Sequence, residues 1–183
     1  MKLEKLEKRV ELPEGVTASL NGKVLTVKGP GAELIEEFPS KRVQMKAEGN
    51  MIFVAAEQVT KREKKIIGTY VAHIKNMAKG AVEPFVYKLK ICSSHFPMSV
   101  AVDNGTFIVK NFIGEVVPRK LKLKEGVEVA VEGQDITVKA NDKKIAGQVA
   151  ADIEQLTRRT AYDRRIFQDG IYIVEKPGKP ITW

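Results

Sequence analysis

The chain has 183 residues, of which 43% are hydrophobic and 30% charged, and carries a formal net charge of +8. That apolar content excludes a disordered chain, and the length fits one or two domains. The longest apolar run, residues 51–56, is too short to span a bilayer.

The N-terminus, MKLEKLEKR, is charged and has no apolar core, so it does not read as a secretory signal. With Cys92 the single cysteine, no disulfide forms within the chain. Both features lead to the expectation of a soluble cytoplasmic protein in a reducing setting. The basic balance favours a polyanionic partner.

The first predicted elements are two alternating runs in VTASLNGKVLTVKG, joined at Asn21-Gly22, a strong hairpin signal. Gly29-Pro30-Gly31 follows. It resembles the start of a phosphate loop but lacks the third spaced glycine, since Leu34 stands there, and a strand pattern comes next. It reads as a tight turn. VQMKAEGNMIFV, residues 43–54, is a second hairpin. Thr60 and Glu63 then form a capping-box pattern ahead of Ile66, Tyr70, Ile74 and Met77, which predicts a helix. His73 lies on it and reads as a helix-face residue.

After a linker at residues 79–84 the pattern recurs. MSVAVDNGTFIVKN repeats the first hairpin around Asn104-Gly105, and VEVAVEGQDITV, residues 127–138, lies over 43–54 without a gap. Asn141 is the expected N-cap of a second helix bearing Ile145, Val149, Ile153 and Leu156. The fold class expected is therefore α+β, two tandem homologous domains, each a small antiparallel sheet covered by one helix. The boundaries expected are 1–81 and 82–183.

Arg158 and Arg159 continue the predicted second helix, and Arg164 and Arg165 follow within the same eight residues. Tyr162, Phe167, Tyr172 and Trp183 are interleaved with them, and Lys176 and Lys179 sit among prolines. Acids and bases balance over residues 83–154, so the positive excess of the second half lies in residues 155–183. Arginine's planar fork suits phosphate oxygens. Spaced cations, rings and small residues together point to nucleic acid, against the alternative of a solvated surface.

Catalytic patterns are weak. Cys92-x-x-His95 is half a metal site with no second pair of ligands. No acid, base and oxyanion donor assemble, so the chain does not read as an enzyme. No cofactor, metal or small-molecule substrate is implied.

Three stretches carry a family resemblance: HIKNMAKGAVEPFVYKLKICSSHFP (73–97), NFIGE (111–115) and RIFQDGIYIVEKP (165–177). They resemble the L-six family of large-subunit ribosomal proteins, and Asp169-Gly170-Ile171-Tyr172-Ile173-x-x-Lys176 resembles its archaeal and eukaryotic branch. The resemblance covers essentially the whole chain. It implies two tandem α+β domains, no catalysis, binding to large-subunit rRNA near the stalk base, the sarcin–ricin loop and the translation-factor site, and neighbouring large-subunit proteins as partners. It implies that the second domain and tail make most RNA contacts, through Asn111, Phe112 and Gly114, through Arg165 and Phe167, and through Gly170, Tyr172 and Lys176. Family members usually carry a lysine where Val116 stands, and Arg119 or Lys120 is the expected substitute. The competing functions are a tandem-domain RNA or DNA binder outside the ribosome and an enzyme on an anionic substrate. The lack of an RNP-like aromatic strand pattern argues against a sheet-surface reader.

Overall fold

A computed structural model describes residues 3–163 and 165–181. The chain divides into two compact units, residues 1–84 and 85–183.

In the first unit, β1 (Leu3–Glu11), β6 (Met51–Val59) and β5 (Val43–Glu48) form an antiparallel sheet in the order β1-β6-β5. A second sheet contains β2 (Thr17–Asn21), β3 (Val24–Lys28) and β4 (Glu33–Glu37) in chain order. Helix α1 (Lys61–Gly80) packs mainly on β6 and β1. Leu25, Val27, Ile52, Val54, Ile67 and Ile74 are fully buried between these elements. Alternation along β3 and β6 places these side chains on one face. Ile67, rather than Ile66, joins Ile74 as a fully buried isoleucine of the helix, because the face turned to the sheet runs through 63, 67, 70, 74 and 77.

The second unit repeats the plan and adds to it. β8 (Ser99–Asp103), β9 (Thr106–Lys110) and β10 (Arg119–Lys122) form one sheet. β7 (Phe85–Cys92), β11 (Glu128–Glu132) and β12 (Asp135–Ala140) form the other, which β13 (Gly170–Lys176) and β14 (Lys179–Pro180) extend in the order β11-β12-β7-β13-β14. Helix α2 (Lys143–Leu156) covers it. The architecture is α+β with one helix per unit over antiparallel strands. In each unit the hairpins fall into two separate sheets.

The hairpin loops explain the repeat and its one slip. Glu48 pairs with Met51 and Glu132 with Asp135, so Gly49 and Gly133 open equivalent two-residue turns at positive φ. In the other pair, Asp103 faces Thr106 and the turn is Asn104-Gly105, with φ of 45° and 71°. Both central residues are left-handed, as a type I′ turn requires. Asn21, however, faces Val24, so its turn is Gly22-Lys23 with only Gly22 at positive φ. The two Asn-Gly pairs thus sit one position apart in register. At Gly29 a Cβ would stand 2.5 Å from the Ala81 carbonyl oxygen, so the turn read from Gly29-Pro30-Gly31 is also a close approach to the end of α1.

Both helices begin on side-chain caps. The Thr60 hydroxyl donates to Glu63 and accepts from the Arg62 amide, and the Thr60 amide donates to Glu63 at 3.0 Å. The second helix starts at Asp142 rather than Asn141: the Asp142 carboxylate accepts from the Lys144 amide at 2.8 Å. Asp142 holds the extended backbone that an N-cap needs (φ −88°, ψ 114°).

The Thr60 hydroxyl and amide, with the Arg42 guanidinium, lower the Glu63 carboxyl from an ordinary 4.5 to about 2, although burial opposes this. A carboxyl depressed on folding stabilises above its unfolded value, and that contribution disappears as pH falls from 4.5 toward about 2. The stability of Glu63→Gln against urea should therefore fall less than that of the unchanged chain on going from neutral pH to about pH 3. Equal acid sensitivity of the two would show that the capping box is not the acid-labile element.

Candidate nucleic-acid interface

The end of α2 builds one side of the site. The helix stops at Leu156, and Thr157 terminates it with its hydroxyl donating to the Glu154 carbonyl at 3.2 Å. The same hydroxyl accepts from the Ile171 amide at 2.9 Å, which ties the helix end to the start of β13. Arg158 and Arg159 therefore lie beyond the helix, contrary to the sequence expectation. Threonine's hydroxyl serves strand and helix together, and the chain turns there.

Between helix end and strand lies a cleft of about 300 Å³, lined in part by Arg158, Arg159, Tyr162, Phe167, Gly170 and Tyr172. Five of these six are site residues expected from sequence; Tyr162 was noted there only as an interleaved ring. A larger concavity of about 710 Å³ in the first unit is lined by both signs of charge, Lys5, Glu7, Arg42, Lys46 and Glu48 among them. The smaller cleft brings two arginines and three aromatic rings together.

The rings form a small stack. Phe167 lies nearly parallel to His95 at 4.9 Å and meets Tyr162 edge-on at 4.9 Å. Arg159 stands 4.4 Å over the Tyr162 ring. Gly170 has a role set by packing: a Cβ there would stand 3.1 Å from the Tyr172 hydroxyl, which donates to the Gln168 carbonyl. Gly170 is buried in β13, so its direct exposure to a ligand is slight.

Sequence reasoning missed the anchor of this stack. The buried Asp169 carboxylate accepts from the amides of Ser94 and His95 at 2.7 and 3.0 Å, from the Ser94 hydroxyl at 3.1 Å, and pairs with His95 Nδ1 at 2.6 Å. Burial pushes its pKa up, but these hydrogen bonds, led by those of His95, outweigh it and hold the group well below the usual carboxylate range. Ser94 and Asp169 both address the same ring nitrogen of His95. A hydrolytic triad needs them on opposite nitrogens, so the cluster positions the His95 ring instead of activating the serine. The signal in the sequence was a histidine and an aspartate in two separate motifs, 74 residues apart.

Other expected site residues are assigned differently. Phe112 is 1% exposed and belongs to the core, so its ring has no face to offer a base. Arg119 lies 4.4 Å over that ring and chelates Glu115 through two 2.7 Å bonds. It also donates to the Leu156 carbonyl at 2.6 Å. Its guanidinium is committed within the unit. The Arg119 hydrogen bonds hold Glu115 below the usual range against the cost of burial, with Arg159 adding a longer attraction at 3.8 Å. Of the two substitutes expected for the lysine missing at Val116, only Lys120 remains exposed without such commitments.

Asn111 and Gly114 are exposed and shape a strained loop, with Asn111, Ile113 and Gly114 all at positive φ. Asn111 donates to the Pro97 carbonyl at 2.9 Å. A β-branched residue at φ 47°, as Ile113 is, sits there only where surroundings fix it. Arg165 is largely exposed and paired with Asp163 at 2.7 Å. That pairing raises the arginine's pKa and lowers the aspartate's. The exposed Lys176 and Lys179 face each other across the Pro177-Gly178 turn. Arg164 and Trp183 lie outside the described residues.

The sequence profile described as Ribosomal protein L6 matches residues 12–82 and 96–170. The chain is 42% identical to the large ribosomal subunit protein uL6 of Methanococcus vannielii, over 95% of this chain and 96% of that one. It is 38% identical to the uL6 of Methanothrix thermoacetophila, over 95% and 99% respectively.

Replacing Arg119 by Ala leaves Glu115 and the Leu156 carbonyl without their donor. Charge-assisted bonds of this kind contribute roughly 1.5–3 kcal/mol, so unfolding of the second unit should become easier by about that amount. Denaturation followed through a probe in that unit checks it, and a change near zero would mark Arg119 as free for a ligand.

Proposed function

Since the chain belongs to the ribosomal protein L6 family, we propose that it is a structural, non-catalytic component of the large ribosomal subunit. In this reading it binds large-subunit rRNA through the second unit, near the stalk base and the translation-factor site. Neighbouring large-subunit proteins are its other partners, and the ribosome in the cytoplasm is its location. The observation that carries the RNA-binding site is the cleft itself: Arg158, Arg159, Tyr162, Phe167 and Tyr172 converge on one side of β13.

The division of labour follows from the contacts. Arg158 is exposed beside the cleft and supplies a planar donor fork for phosphate. Arg159 is braced by Glu115 and Tyr162, so its guanidinium is held in a fixed orientation. Its Nη1 is buried 3.8 Å from Glu115 Oε1, so that edge of the guanidinium is turned into the unit and not toward RNA. Phe167 and Tyr172 offer partly exposed ring surface to an unstacked base. Lys120, Lys176 and Lys179 extend the phosphate contacts. Arg165 can join them by exchanging Asp163 for RNA.

Sedimentation of a cell lysate tests the assignment: the chain should travel with large subunits at moderate salt. Recovery on other RNA, free of large subunits, would favour the tandem-domain binder outside the ribosome. The site is tested by titrating an rRNA fragment at several salt concentrations. Arg158→Ala should lower affinity and flatten the slope of log K against log salt by about 0.7–0.9. An unchanged slope would remove Arg158 from the interface.

A further inference from the structure

The larger part of the net charge lies outside the tail, in residues 1–82. Five of its cations are exposed on the first unit: Lys41 in the loop before β5, and Lys61, Arg62, Lys64 and Lys65 in the opening turns of α1. Among the described residues none of the five has a carboxylate within ion-pair distance. The second unit differs, since Arg119, Arg159 and Arg165 are all engaged by Glu115 or Asp163.

Fold stability does not account for this group. The first turn of a helix favours acids, and its only acid is Glu63, which is buried in the capping box and pairs with Arg42 at 3.2 Å. Lys61 stands three and four residues before Lys64 and Lys65, where like charges repel. The arrangement opposes the helix that carries it. A bound anion would remove that penalty.

Two of the five, Lys41 and Arg62, also line a shaped surface. A concavity of about 510 Å³ lies between the loop and the helix, lined by Pro39, Lys41, Arg42, Arg62, Ile66 and Tyr70, among others. Its floor is mainly apolar and its rim cationic. Ser40 is fixed at its edge, its amide donating to the Tyr70 hydroxyl at 2.9 Å. A rim of cations matches a chain of phosphates, and an apolar floor matches an unstacked base or ribose.

We infer that this face of the first unit is a second RNA-binding surface, separate from the tail cleft. It takes an RNA strand with phosphates along Lys41, Arg62 and Lys65 and an unstacked base over Pro39 and Ile66. Phosphate contacts of this kind carry no base code, so the surface accepts single-stranded RNA without strong sequence preference.

The test uses the full chain and a fluorescent oligouridylate of about twelve nucleotides, followed by anisotropy across a salt series. One variant combines Lys41→Gln, Arg62→Gln and Lys65→Gln. A second combines Arg158→Gln, Lys176→Gln and Lys179→Gln. The first variant should bind roughly tenfold or more weakly at low salt, with a slope reduced by about two. Its melting temperature should match or exceed that of the unchanged chain, because repulsion at the helix start is relieved. Unchanged affinity and slope in the first variant overturn the inference whatever the second variant does. Weakening in the second variant alone supports the tail cleft and refutes this surface. A lower melting temperature in the first variant would show the cations to be structural and would also overturn it. So would poly-glutamate competing as well as RNA, which would point to an acidic protein.

Discussion

The guanidinium of Arg119 joins three parts of the second unit. It chelates Glu115 at the end of the strained loop, donates to the Leu156 carbonyl at the end of α2, and covers the Phe112 ring. Lying only partly exposed, it binds these groups where water competes weakly. Loop and helix end are thereby fixed relative to each other, and Glu115 is placed where it can brace Arg159. A flexible loop here would leave Arg159 without a defined direction. Preorganised arginines lose less side-chain freedom on meeting phosphate than free ones do.

The two units share a plan, yet only the second has a strand after its helix. β13 pairs with β7 along the edge opposite β12 and is bonded to the helix end through Thr157. That added strand delivers Gly170 and Tyr172, and the segment leading into it delivers Phe167 and Asp169. Among the described residues, the first unit has no strand at the matching edge of β1. Its charged surface is arranged around the start of its helix instead. The two units have similar cores and differ in what is attached to each.

Much of the fold was legible because it depends on local rules. Alternation in β3, β6, β9 and β12 fixed which side chains face inward, and glycines at tight turns marked the hairpins. The capping box at Thr60 and Glu63 was legible for the same reason. Errors arose where two neighbours could do the same job. Asn141 and Asp142 are both good caps, and the extended backbone selected Asp142. Ile66 and Ile67 are both apolar, and the direction of the sheet selected Ile67.

The sequence by itself determined residue type, the tandem repeat, the fold class and the family, because these reside in patterns along the chain. Only the tertiary structure decided which polar and aromatic groups meet. Phe112 and Phe167 look alike in sequence, but one fills the core and the other stacks on His95. Arg119 and Lys120 are adjacent cations, but strand alternation turns the first to Glu115 and leaves the second in solvent. The net positive charge was visible from composition. That Arg119 and Arg159 are engaged inside the second unit, while among the described residues Lys41 and Lys61 on the first have no acid partner, was not, because an ion pair depends on distance through space and not on distance along the chain.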